Sequence, residues 1–541
     1  MMQKQEPWWK TAVFYQIYPR SYADSTGNGI GDLRGIINRF SHIEKLGIDA
    51  IWFSPFFTSP QKDFGYDISD YKAINPEYGS MADFDELLQL AHEKGIKIIL
   101  DMVLNHTSDQ HAWFLESRKS KNNPYRDWYI WRDGKGRNPP NNWKSAFGGS
   151  AWAYEEQTGQ WYYHRFVKEQ PDLNYRNPKV KEAMLDQMRF WLDKGVDGFR
   201  LDVINMIFEY EDLRNNPRSL HLLPSNRHTA YLFQNHLYDQ DLPETHTFCT
   251  ELRKLVDSYS GDRVLIGEVF STFNTIRSFY GDDDELHLVF NFDFMKRPFK
   301  AQSFREAIEI SEKDFSNPLW PCYVFSNHDE VRLISRIGNN VQKARLLVLM
   351  LLTLRGTPFI YYGEEIGMKQ VKIPRNKVVD PLGKNFWYSP IPIGRDGCRT
   401  PMQWDDSTNA GFSPISQEVE TWLPIPQDYK VINVKSQEND SNSMLNFYRI
   451  LLKIRKEQKS LQLGDLEIIP LHKNCVSYIR SYQSEKSLIV LNFSKKNLLI
   501  SYGEVSPDIK GKITFSTYNQ VSTNDKKDKI KLRRYEGVII Q

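Results

Sequence analysis

The stretch Trp191-Leu-Asp-Lys-Gly-Val-Asp-Gly-Phe-Arg-Leu-Asp-Val-Ile-Asn-Met206 decides how the rest of the chain is read. Asp193-Lys194-Gly195 has the cationic, glycine-stopped form in which helices commonly end. The apolar run that follows, roughly 196–203, predicts a short strand. Side chains alternate along a strand, so Gly198, Arg200 and Asp202 share one face, with Phe199, Leu201 and Val203 on the other. A strand that otherwise reads as buried thus turns an arginine and an aspartate the same way near its C-terminal end. Charges there are either paired or functional, and this stretch alone leaves both readings open.

Outward from it the chain alternates strand and helix. Strands are predicted at 14–19, 47–55 and 96–103, the last running into Leu104-Asn105-His106, with helices from Leu33 to Ile43 and over 81–94 between them. Residues 107–174, rich in Trp, Tyr, Asn and Gly and without a long apolar period, read as an inserted irregular subdomain. The helix over 179–194 and the strand ending at Asp202 restore the rhythm, and further strands follow at 264–268, 286–292, 322–329 and 358–362. Eight strands with helices between them predict an α/β fold, a (β/α)8 TIM barrel with its active site at the C-terminal strand ends. The barrel takes 1–106 and 175–463, with the subdomain 107–174 inserted after strand 3 and an irregular excursion at about 367–435 after strand 8. An amphipathic helix near 443–457 closes it. Short alternating strands from 464 to 541 predict a C-terminal β-sandwich.

The totals fit a barrel with insertions: 541 residues, 40% hydrophobic and 13% aromatic. A net charge of +2, from 70 basic and 68 acidic residues, argues against a nucleic-acid or other polyanion partner. Cys249, Cys322, Cys398 and Cys475 lie far apart without C-x-x-C spacing, as reduced thiols of a cytoplasmic protein would. The N-terminus lacks the apolar core of a signal peptide, and the longest apolar run, 346–354, is too short for a bilayer, so no membrane association is expected. The acidic run Asp282–Glu285 and the mixed run Asp525–Lys529 are expected to be solvated loops.

Ionisable groups fall at four predicted strand ends: Asn105-His106, Arg200 with Asp202, Glu268, and His328-Asp329. A barrel gathers such ends into one bowl, where three carboxylates, two imidazoles and an arginine make poor core. Glycoside hydrolysis needs this set, because one carboxylate must stay ionised while another holds a proton. Arg200 is expected to keep Asp202 anionic, and Glu268, among apolar neighbours and other carboxylates, to be the acid. Zinc is disfavoured, since the histidines lack H-E-x-x-H spacing.

Asp101-Met-Val-Leu-Asn-His106, Gly198-Phe-Arg-Leu-Asp202, Gly267-Glu268 and Ser326-Asn-His-Asp329 resemble the four ordered motifs of the α-amylase family of glycoside hydrolases. Gln170-Pro-Asp-Leu-Asn174 is similar to the motif of its α-glucosidase/oligo-1,6-glucosidase branch. The resemblance covers nearly the whole chain. It implies cleavage or transfer of α-glucosidic bonds with retention, Asp202 as nucleophile, Glu268 as acid/base and Asp329 gripping the distorted sugar. Arg200 would orient Asp202, and His106 and His328 would bond hydroxyls of the same sugar. Asp63 with Arg399 matches the pair that holds the terminal sugar's O4 and closes the pocket, Tyr66 the stacking aromatic, and Phe147, Phe166 and Gln170 the pocket wall. Val203, next to the nucleophile, matches the position where valine accompanies α-1,6 activity and alanine or threonine α-1,4.

The loop Asp24–Asp32 resembles the branch's cation loop, with Asp24, Thr26, Asn28, Ile30 and Asp32 at its alternating ligand positions. Thr26 and Asn28 depart from its pattern, so any Ca²⁺ or Mg²⁺ would be structural and weakly held; the chemistry needs no cofactor. The expected partner is a small oligosaccharide or disaccharide. Two rivals to hydrolysis are a non-catalytic transporter subunit, which would lack the carboxylates and carry a membrane helix, and a transferring enzyme such as a sucrose isomerase or a trehalose-forming mutase.

Overall fold

The computed structural model describes residues 6–222, 228–386, 388–389, 393–414, 419–502, 509, 512–518 and 529–541. Its centre is a closed, all-parallel barrel. The strands are β1 (Phe14–Ile17), β2 (Ala50–Phe53), β3 (Lys97–Met102), β4 (Gly198–Leu201), β5 (Val264–Gly267), β6 (Leu288–Asn291), β7 (Cys322–Val324) and β8 (Thr357–Tyr361). Each pairs with its sequence neighbours, and β8 closes on β1. All eight runs named in the sequence are therefore strands, seven of them shortened and the eighth shifted by one residue.

Alternation sorts the strand residues into two cores. Phe14, Trp52, Ile99, Ile266, Phe290 and Phe359 point inward and fill the lower barrel. Tyr15, Ile51, Ile98, Phe199, Leu265 and Ile360 point outward into the layer shared with the helices. On β4 the inward positions are Gly198 and then Arg200, which lies in register with Asp101 on β3 and Ile266 on β5. Gly198 is required by crowding: a Cβ there would sit 2.2 Å from the Val264 carbonyl oxygen. Glycine lets β4 and β5 approach, and the guanidinium then rises directly above the apolar plug.

Helix ends follow local chemistry. Ser80 and Asp83 form a capping box on Met81–Glu93. Asn177 caps Pro178–Lys194, with proline at its first turn and Gly195 in the left-handed conformation at its end (φ 103°). The inserted stretch 107–174 carries a three-stranded antiparallel sheet. A long excursion that no sequence periodicity marks runs from Val203 to Leu242 and contains a hairpin, Ala230–Tyr231 paired with Gln234–Asn235. It is tied to the inserted subdomain by the buried pair Arg165–Asp239 and by Trp143 Nε1 donating to the Arg214 carbonyl at 2.9 Å.

The C-terminal region has a five-stranded antiparallel sheet and a two-stranded ladder, Leu498–Ser501 with Lys529–Leu532. Val490 and Val538 from the first and Ile500 and Ile530 from the second share one apolar cluster, a lopsided sandwich. It rests on the helices Val341–Thr353 and Met444–Glu457, where Phe447 meets Phe515 at 5.5 Å between ring centroids.

All four cysteines are free and buried. Among the described residues no helix is long and apolar enough to cross a membrane. The acidic run is only partly solvated: Glu285 is buried and lies 2.8 Å from His246 Nδ1. The mixed run Asp525–Lys529 falls outside the described residues except for Lys529.

In the loop Asp24–Asp32 the side chain of Asp24 accepts the N–H groups of Thr26, Gly27 and Gly29 and the hydroxyls of Thr26 and Ser413. Asp32 accepts from the N–H groups of Ser25 and Gly35 and the Ser25 hydroxyl. Donors within the protein thus reach each of these carboxylate oxygens.

Candidate active site

A cavity of about 590 Å³ opens at the C-terminal end of the barrel. Of the residues named from sequence, Asp63, Tyr66, His106, Phe147, Phe166 and Gln170 line it, together with Asp202, Val203, Glu268 and Asp329. Arg200, His328 and Arg399 are fully buried behind its wall.

Arg200 organises the floor. One terminal nitrogen donates to Asp101 and to Asp202, both at 2.7 Å, and the other is ion-paired with Glu268. Trp52 covers the guanidinium at 5.2 Å. Burial, with the Asp202, Asp329 and Asp101 charges, pushes Glu268 well above the usual carboxylate range despite Arg200. Asp202 is also raised, burial first, while Arg200 and a hydrogen bond with Glu268 pull it back. Arg200, expected to keep Asp202 anionic, does favour its charge, but one guanidinium shared among three carboxyls offsets only part of the desolvation. Asp101 itself is pushed up to about 7, chiefly by burial. Asp329 goes the other way. Burial opposes its charge, but His328, Arg395 and Arg399 hold it well below the usual range.

The two histidines are engaged before any substrate arrives. His106 lies 2.9 Å from the Asn105 amide oxygen through Nδ1, while its Nε2 faces both the Gln170 amide nitrogen at 2.9 Å and the Tyr66 carbonyl at 3.2 Å. Burial lowers it to about 3. His328 stacks on Tyr66 at 5.5 Å and lies between the Gln16 amide, 2.8 Å away, and the Tyr66 hydroxyl, 2.6 Å away. It does not line the cavity. Named as a sugar contact, His328 is placed behind Tyr66, whose hydroxyl donates to Asp101 at 3.1 Å, and its Nε2 is also 3.3 Å from Asp329.

The pocket-closing pair also differs from the expectation. Asp63 is bonded by Arg395, at 2.6 Å, and not by Arg399. Arg395 also donates to Asp380 at 2.7 Å and Asp329 at 3.3 Å, and lies over Phe147 at 4.9 Å. Arg399 sits one layer deeper, donating to Asp329 at 2.8 Å and to the His328 carbonyl at 2.7 Å. The two arginines flank the single helical turn Asp396–Cys398, so they point the same way at different depths. That four-residue spacing was the signal for Arg395. Asp380, far from any motif, offered none.

Val203 carries strain. Its φ of 38° and ψ of 43° are left-handed, unusual for a β-branched residue, and aim its N–H at Glu268, 3.4 Å away.

Residues 16–464 match the α-amylase catalytic domain. The chain is 42% identical over 510 residues to a probable α-glucosidase of Rhizobium meliloti, covering 91% of each chain. It is 41% identical over 525 residues to the oligo-1,6-glucosidase of Parageobacillus thermoglucosidasius, covering 90% of this chain and 91% of that one. Among solved structures, the α-glucosyl transfer enzyme XgtA superposes with a TM-score of 0.91 at 39% identity, over 99% of both chains. With the eight-stranded barrel and its carboxylate-lined cavity, these matches make the chain a glycoside hydrolase that belongs to the α-amylase family.

Proposed function

We propose that this enzyme is a retaining, exo-acting α-glucosidase that removes terminal glucose from disaccharides and short oligosaccharides by double displacement. The observation that carries the reading is the single guanidinium of Arg200 spanning Asp202 and Glu268. It favours the close separation of about 5–5.5 Å used by a nucleophile and an acid/base over the wider gap that admits an inverting water. Glu268, its pKa raised, gives its proton to the glycosidic oxygen as that bond breaks, while the Asp202 carboxylate bonds to the anomeric carbon. Water, losing a proton to Glu268, then displaces Asp202. Asp329, held anionic, faces the developing positive charge and the ring hydroxyls. The Asp63–Arg395 pair ends the cavity behind the sugar, leaving no path for a chain continuing in that direction.

Val203, in the cavity wall beside the nucleophile, supports acceptance of α-1,6 bonds over α-1,4. A methyl in place of a hydroxyl there is worth about 1–3 kcal/mol, so the preference is partial. Four buried free thiols support a cytoplasmic setting. A second reading, net transfer of glucose to an acceptor other than water, is favoured by the likeness to XgtA. NMR of the first product from an α-glucoside tests the mechanism: α-glucose is expected, and β-glucose would refute retention. For linkage, Val203→Thr is expected to shift kcat/KM from isomaltose toward maltose, and an unchanged ratio removes Val203 as selector.

A further inference from the structure

Among the strand residues that face the barrel axis, Gln16 has no part in the chemistry described above. On β1 it follows Phe14 on the inward side, in register with Trp52 on β2 and Tyr361 on β8, and it is buried. An amide at such a position costs stability unless it is hydrogen-bonded. Its Nε2 lies 2.8 Å from His328 Nδ1 and 3.1 Å from the Ser54 hydroxyl. Its Oε1 meets no donor among the described residues. The nitrogen end of this amide is the end in use.

The far side of the imidazole decides which way the bond runs. Nε2 of His328 faces the Tyr66 hydroxyl at 2.6 Å and Oδ2 of Asp329 at 3.3 Å. Burial keeps His328 neutral, and a neutral imidazole carries a single N–H. Asp329 is anionic: its Oδ1 takes Arg399 at 2.8 Å and Arg395 at 3.3 Å, and its Oδ2 is turned toward His328. That oxygen attracts a proton on Nε2 and would repel a lone pair there. Nδ1 is then an acceptor, and the Gln16 N–H donates to it. In this order the Tyr66 oxygen accepts from His328 and keeps its own proton for Asp101, 3.1 Å away, whose other oxygen takes Arg200. One direction of donation therefore runs from β1 to the catalytic floor. With the amide turned over, Nδ1 would carry the proton, Tyr66 would donate to Nε2, and Asp101 and Asp329 would each lose a donor.

We propose that Gln16 is a positioning residue of the reaction: its N–H holds His328 as the Nε2–H tautomer, and His328 in turn seats Tyr66 and bonds the carboxylate of Asp329. The role rests on the α-glucosidase reading, in which Asp329 faces the positive charge that develops on the sugar. Asp329 makes that contact most strongly in the transition state, so what Gln16 secures is felt in kcat rather than in the binding of substrate. Gln16 does not line the catalytic cavity and acts only through His328.

The test joins kinetics to a direct view of the ring. Gln16→Met keeps the length of the side chain and removes the donor. Its kcat on isomaltose is expected to fall about ten- to hundredfold, while KM stays within about threefold. NMR of enzyme labelled with ¹⁵N at histidine, with His328 assigned by its absence in His328→Gln, reads the bond itself. Wild-type His328 is expected to be protonated at Nε2, and its Nδ1 resonance is expected to shift in Gln16→Met. Wild-type His328 protonated at Nδ1 overturns the proposal even if the variant does not fold. So does an Nδ1 resonance that Gln16→Met leaves in place, a variant within about twofold of the wild-type kcat, or a loss confined to KM. Each of these leaves the α-glucosidase reading standing while the wild type cleaves isomaltose. A wild type that cleaves neither isomaltose nor maltose overturns both.

Discussion

Arg200 meets three carboxyls with one guanidinium, Asp101, Asp202 and Glu268, and its position in register between β3 and β5 makes that sharing unavoidable. Glu268 must hold its proton to act as acid, so activity is lost as pH rises through its raised pKa. Asp202 must be ionised, so activity is lost as pH falls through its own. Asp101 raises Glu268 by like charge and draws Arg200 away from it. Asp101→Asn removes both influences, and both changes lower Glu268. The alkaline limb of the kcat/KM profile is therefore expected to move to lower pH, and a limb that stays or moves up contradicts this assignment. Arg395 plays the corresponding part at the pocket's closed end. Removing it leaves Asp63 and Asp380 buried without their main counter-charge, a loss of about 3–5 kcal/mol for a broken buried pair. Arg395→Ala is expected to cut kcat/KM on isomaltose at least about a hundredfold. A variant within about threefold of wild type would show that the pair does not close the site.

The loop Asp24–Asp32 and the described parts of the excursion, 203–222 and 228–242, are irregular, yet both are held by hydrogen bonds. Asp24 and Asp32 accept loop donors, and Asp32 caps the helix that begins at Leu33. Chelation by EDTA is expected to change Tm by less than about 2 °C, whereas a cation bound to the folded state alone stabilises it by mass action and its loss lowers Tm. Differential scanning with and without chelator distinguishes the two. In the excursion the bridge to the inserted subdomain is Arg165–Asp239, both fully buried. Burial opposes the Asp239 charge, but Arg165 and His236 lower it to about 2. Because the folded pKa is depressed, its stabilising contribution is full above the unfolded value near 4 and is lost as pH falls toward 2. The same arginine also bonds the Tyr231 hydroxyl at the base of the 230–235 hairpin, so the pocket mouth depends on this bridge.

The barrel and the C-terminal sheets form one packed body. Leu346 and Leu349 of the helix Val341–Thr353 lie against Gly537, where a Cβ would meet their methyl groups at 2.9 and 2.8 Å. Arg480 spans the boundary by donating to the carbonyl of Thr353. Ending the chain at residue 463 would uncover this apolar face, which the barrel cannot bury on its own. The truncated protein is expected to be insoluble or to lose several degrees in Tm, as judged by soluble yield and a thermal melt. A soluble 1–463 fragment with full α-glucoside activity would refute that dependence.

The sequence by itself determined the barrel, its insertion point and the carboxylates at its mouth. Those are local properties: apolar runs of strand length, glycine stops, and the alternation that sets Gly198, Arg200 and Asp202 on one face. Closure of any parallel barrel then brings the strand ends together. Depth within the bowl and the identity of partners belong to the tertiary structure alone. Arg395 and Arg399 flank one short helical turn, and only the loops packed around it decide which reaches Asp63 and which stays beneath Asp329. His328 lies behind Tyr66, which the segment between β2 and β3 carries across in front of it. The apolar hairpin at 232–233 comes from a stretch without periodicity, and its conformation is set by hydrogen bonds to residues 219–222 rather than by its own propensity. Alternation is written in neighbouring residues, whereas contacts between segments far apart in the chain are fixed only when the whole surface has packed.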